Sequence, residues 1–95
     1  MGALISARKT VAATTVPETL VAASTLAHWV IIQGEFTNTN NAYVGAVAAP
    51  MTGGFELDAG VFTPVLEGAP LDLVTILVDV DTNGEGVNFT YQAYP

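Results

Sequence analysis

The chain has 95 residues, 51% of them hydrophobic and only 12% charged, which suits a single domain and leaves few charges to cover its surface. Its formal net charge is −7, and its two cations, Arg8 and Lys9, sit side by side near the start, so the basic patch needed to bind nucleic acid or an anionic membrane surface is missing. With no cysteine, one histidine and no apolar run near the ~20 residues of a membrane span, the sequence also excludes disulfides, thiolate or structural zinc sites and a membrane-spanning helix.

Residues 1–9 place Leu4 and Ile5 ahead of the basic pair, the reverse of a secretory signal. Gly2 and Ser6 satisfy the short myristoylation pattern, which arises often by chance. This segment reads as an N-terminal arm, with Leu4, Ile5, Arg8 and Lys9 as candidate partner contacts, ahead of a β-sandwich domain over 10–95. Thr and Val dominate 10–21, which favours strands at about 10–16 and 19–22 over a helix opening at Pro17. Trp29–Gln33 is a continuous β-branched and aromatic run, as in a strand covered on both faces. A polar turn at 37–41 separates it from a strand at Ala42–Val47. Gly53-Gly54 breaks the chain again. Phe55–Leu57 and Val61–Val65 follow as short strands, the second at an edge or bulge because Pro64 cannot donate to a ladder. Gly68 and Pro70 mark a loop. Over 74–81 and 87–94 apolar and polar residues alternate with period two. Asn83-Gly84 lies between them and predicts an antiparallel hairpin with Val78, Phe89 and Tyr91 buried. About eight short strands with regular turns predict an all-β fold, one antiparallel sandwich of jelly-roll type.

Candidate chemistry is sparse. A nucleophile needs a neighbouring base, and the only pairing on offer is His28 with Ser6 or Ser24. His28 opens an apolar strand and reads as a strand-end residue. Glu56/Asp58 and Asp79/Asp81 are carboxylate pairs two apart on strands, a spacing common on solvated faces. No catalytic residue and no cofactor is expected. Asp79-x-Asp81-x-Asn83-Gly84 reproduces the opening of a calcium-binding EF-hand loop. Its twelfth position is Thr90 rather than glutamate, and period-two strands replace the flanking helices. Asp79, Asp81 and Asn83, with Glu85, are therefore metal candidates set against the simpler reading of an acidic turn, which is preferred. Asn88-Phe89-Thr90 matches a glycosylation sequon but falls within a strand. Trp29, Tyr43, Phe62, Phe89, Tyr91 and Tyr94 fall mostly at core-facing positions; read instead as a platform, they would suit a carbohydrate.

The order of segments resembles small tailed-bacteriophage virion proteins of the jelly-roll capsid decoration, or cement, kind. Trp29–Gln33, the Asn38-Thr39 turn, Tyr43-Val44-Gly45, Gly54 through Leu57 to Gly60, and the final alternating segments carry the likeness over roughly 10–94. The family's usual turn is Asn-Thr-Gly, and here Asn38-Thr39-Asn40-Asn41 replaces it. The resemblance implies a non-enzymatic structural protein on the capsid surface of the virion, made in the host cytoplasm. Its implied partners are the major capsid protein and copies of itself, as a dimer or trimer. A tail or fibre-associated protein is the nearest alternative, and a carbohydrate-binding module the alternative of another class.

Overall fold

The computed structural model describes residues 2–46 and 54–95. Eight strands make up β1 (Leu4–Thr10), β2 (Glu18–Thr19), β3 (Leu26–Gly34), β4 (Ala42–Gly45), β5 (Phe55–Leu57), β6 (Leu66–Asp72), β7 (Leu77–Val80) and β8 (Gly86–Ala93). They form two four-stranded sheets, ordered β1-β8-β3-β6 and β2-β7-β4-β5, and every pairing is antiparallel. The chain is thus an all-β, two-sheet sandwich. Its pairing is nested: β1 joins β8, β2 joins β7, β3 joins β6 and β4 joins β5.

The period-two pattern explains the core. In β3, Val30 and Ile32 point inward, and in β8 so do Val87, Phe89 and Tyr91. From the other sheet Ala42, Val44, Leu57, Val78 and Val80 meet them, all buried. The expected burial of Val78, Phe89 and Tyr91 is therefore observed.

Several expectations need correction. First, 74–81 and 87–94 are not a hairpin. β7 lies in one sheet and β8 in the other, so the chain between them crosses the sandwich. A two-residue hairpin turn of the Asn-Gly kind needs positive φ at both central residues. Here only Gly84 has it (φ 84°). Alternation specifies a half-buried strand, and either sheet can satisfy it. The start of this segment is also not strand. Leu73–Thr75 is a single 3-10 turn capped by Asp72, whose carboxylate accepts from the Val74 amide.

Second, the segment expected as an arm over 1–9 is, from Leu4 on, not free. Leu4–Thr10 is β1, paired along its length with β8 in the edge position left vacant by the missing hairpin. Third, 10–16 is loop beyond Thr10, and the expected 19–22 strand is reduced to β2. Val11 plugs the core with no exposed surface. Fourth, the loop expected around Gly68 and Pro70 is β6, an edge strand where proline is tolerated. The expected strand at 61–65 makes only one bridge, Phe62 to Gln33 near the end of β3. The expected strand Ala42–Val47 is seen as β4 up to Gly45; Val47 and Gly53 lie outside the described residues.

Candidate functional site

The four metal candidates lie on and after β7, and their oxygens point to different groups. Buried Asp79 accepts from the Thr15 amide (3.1 Å) and the Val80 amide (2.8 Å). Asp81 accepts from the Tyr43 hydroxyl (2.9 Å), which pushes the Tyr43 phenol above its ordinary pKa. Asn83 accepts from the Thr14 amide (2.7 Å). Glu85 accepts from the Thr39 amide (2.7 Å) and hydroxyl (2.9 Å). The Thr39 amide, with lesser help from its hydroxyl and the Asn40 amide, holds the Glu85 carboxyl below the ordinary value. The sequence pattern is thus used to pin two loops, 11–17 and 38–41, across the end of the sandwich. Among the described residues no cluster of three or more acidic or histidine side chains is arranged to hold a metal ion.

The catalytic pairings do not assemble either. The Ser24 hydroxyl donates to Asp72 (2.6 Å), which also accepts from the Thr25 amide (2.9 Å). Those contacts, Ser24 first, lower the Asp72 pKa. His28 packs its ring against Tyr94, centroids 4.8 Å apart, and Ser6 hydrogen-bonds Thr90 across β1 and β8 (2.8 Å). Glu56 accepts from the Asn41 side chain.

The expected contact residues separate into two kinds. Arg8 donates to Glu35 (2.8 Å), whose carboxylate is nearly buried, and Lys9 pairs with Glu18 at the same distance. The Lys9 hydrogen bond, helped by the Ala12 amide, lowers the Glu18 pKa. Both cations are therefore committed within the chain. Leu4 and Ile5 remain exposed, at 66% and 38%.

Sequence reasoning missed the most open apolar surface. Among the aromatics expected in the core, Phe89 and Tyr91 are buried, but Phe62 is 59% exposed, and Tyr94 is exposed as well. Phe36, at 77% exposed, lies over Gly60, where a Cβ would come within 2.9 Å of its ring. Val61, Phe62 and Val65 follow on the adjoining segment, all exposed. That segment is held to β3 by the Thr63 amide on the Ile32 carbonyl (2.7 Å) and by the Gln33 side chain on the Gly60 carbonyl (3.1 Å). Beside Phe62, on the outer face of the first sheet, is a shallow groove of about 170 Å³. Trp29, Ile31, Gln33, Asn88 and Thr90 line it, and the Trp29 indole donates to Gln92 (3.2 Å). The available signal was the Phe36 and Val61-Phe62 positions, apolar residues beside turn glycines rather than inside alternating strands.

These features define a two-sheet β-sandwich with well-tied loops and several exposed apolar side chains on the segment beside β3. No family model matches the chain, and no curated protein or solved structure does so either.

Proposed function

We propose that the chain is a non-enzymatic structural protein that packs against other protein subunits, as a capsid decoration protein of a tailed bacteriophage virion does. The observation that carries this reading is that Phe36 and, on the segment beside it, Val61, Phe62 and Val65 are all exposed on a body with few charges. Large apolar patches on small domains are commonly covered by partners. Fully burying one such side chain contributes on the order of 1.5–3 kcal/mol. The nested strand order, first with eighth and inward to fourth with fifth, is read as a jelly roll, the architecture the resemblance implies. The partner would be the major capsid protein, and the place the outer capsid surface. Apolar contact repeated by the symmetry of the shell would add up to mechanical reinforcement.

The test is particle binding by Phe36→Ser and Phe62→Ser, with urea unfolding measured alongside. Both exposed sites should tolerate serine with little loss of fold, and binding to capsids should weaken by tenfold or more. Full binding by the double variant would remove this surface from the role. A tail or fibre placement would show as retention on tails and not on capsids.

The groove favours a second reading, a carbohydrate-binding module. An indole beside neutral amides suits a sugar, whose apolar ring face stacks on aromatics while its hydroxyls bond amide groups. Glycan-array binding abolished by Trp29→Ala would support it, and an array without signal would dismiss it.

A further inference from the structure

We propose that two copies of this chain join antiparallel through β1, about a two-fold axis at Ala7, so that their outer sheets become one continuous sheet. The inference deepens the subunit-packing reading by naming a partner, a second copy, and the strand that receives it.

Among the described residues β1 ends its sheet and pairs only with β8. The direction of its backbone groups is fixed at both ends. The Ala3 carbonyl accepts from Ala93 (2.9 Å), and the Val11 amide donates to Glu85 (2.9 Å). In an antiparallel ladder, alternate residues turn their amide and carbonyl toward the same neighbour. The odd residues therefore face β8, and Leu4, Ser6, Arg8 and Thr10 present theirs to the open side. Such a row is a template for another strand. The usual guards are missing: β1 has no proline and no register shift, and Arg8 and Lys9 are neutralised by Glu35 and Glu18. The remaining edges are poorer templates. β2 has two residues, β5 has three, and β6 contains Pro70.

That asymmetry selects the occupant. Among the described strands the one long edge without proline that a copy can offer is another β1, and only a two-fold pairing closes without growing into a filament. Centred on Ala7, the strand Leu4–Thr10 overlaps its copy completely. Leu4 then faces Thr10 of the second copy, Ser6 faces Arg8 and Ile5 faces Lys9, so every outward amide and carbonyl is paired. No cation lies directly opposite a cation. The exposed Leu4 and Ile5 side chains gain neighbours across the junction.

Sedimentation velocity over a concentration series should show a dimer. The chain has no native cysteine, so Ala7→Cys can cross-link only between copies. Facing residues of this kind have Cα atoms roughly 4.5 Å apart, within reach of a disulfide. Oxidation should convert most of the protein to a covalent dimer. Ser6→Pro removes an amide that points outward and spares every backbone bond to β8, losing there only the exposed side-chain contact with Thr90; it should fold as the parent does yet sediment as a monomer. A parent chain that stays monomeric at every concentration overturns the inference. So does a dimer that survives Ser6→Pro and leaves Ala7→Cys uncross-linked. Capsid binding, measured separately on the same proteins, decides the other question. A dimer that binds no particle leaves this inference standing and defeats the proposed role, whereas a particle-binding monomer does the reverse.

Discussion

Asp79 illustrates how one residue is misread from spacing and then explained by position. In β7 three consecutive residues, Val78, Asp79 and Val80, are buried, which strict alternation forbids. The reason is the 11–17 loop, which lies over the outer side of β7 and donates its Thr15 amide to Asp79. Thr15 itself sits at φ 63°, a conformation β-branched residues rarely adopt, so the hydrogen bond holds a loop under local strain. Removing the carboxylate leaves the Thr15 and Val80 amides without their acceptor. Asp79→Ala should therefore cost about 1–3 kcal/mol, the desolvation penalty of buried unpaired groups. Chelator should leave the melting temperature of the parent chain unchanged, and the variant should be less stable with or without added calcium. A chelator-induced fall of several degrees, lost in Asp79→Ala, would overturn the acidic-turn reading and make this turn an ion site.

At the scale of elements, the sequence disclosed which segments are strands better than which strands pair. Phe55–Leu57 and the apolar faces of Ala42–Gly45 and 87–93 follow directly from alternation and β-branched content. Pairing is a long-range property, and the Asn83-Gly84 signal suggested a local partner for a segment that the opposite sheet takes. Leu4–Thr10 escaped notice as a strand because its burial comes from one side only, so its exposed residues show no amphipathic period. A quieter mark of the true arrangement was Gly86. A Cβ there would sit 1.9 Å from the Lys9 carbonyl oxygen and 2.8 Å from the Thr10 Cα. The Asn38 side chain also clamps the Gly86 backbone, donating to its carbonyl (2.8 Å) and accepting from its amide (3.3 Å). Glycine is required because β1 passes directly against it. Gly86→Ala should displace the end of β1 and cost about 2–3 kcal/mol, at the upper end of overpacking effects. Gly84→Ala is the matched control: its φ is 84° but the space around it is open. That change should cost only about 1 kcal/mol, from backbone conformation alone. Urea unfolding of the two variants distinguishes contact from conformation, and equal losses would refute the close-approach account.

Across the whole molecule, nine acidic residues against two basic ones taken alone favour acid, because protonation relieves self-repulsion. The carboxylates at the loop anchors work the other way. Glu18 is held low by Lys9 and the Ala12 amide, Asp72 by Ser24 and the Thr25 amide, and Glu85 by the Thr39 amide. A group whose folded pKa lies below its unfolded value binds more protons when the chain is unfolded. Its stabilisation is complete above the unfolded value and is lost as pH falls through the folded one. For the two glutamates that loss begins below their ordinary 4.5, and for Asp72 below 3.8. The anchors act at short range on particular loops, whereas the spread negative charge is screened within roughly 10 Å at 0.1 M salt, so the anchors are expected to set the sign. Stability from urea unfolding should therefore be level from pH 7 to about pH 5 and then fall steadily toward pH 3. Glu85→Gln keeps an acceptor oxygen near Thr39 but removes one titration, so its curve should start lower at pH 7 and flatten in acid. A parent chain that grows more stable between pH 5 and pH 3 would mean that relief of repulsion dominates and that the loop anchors contribute little.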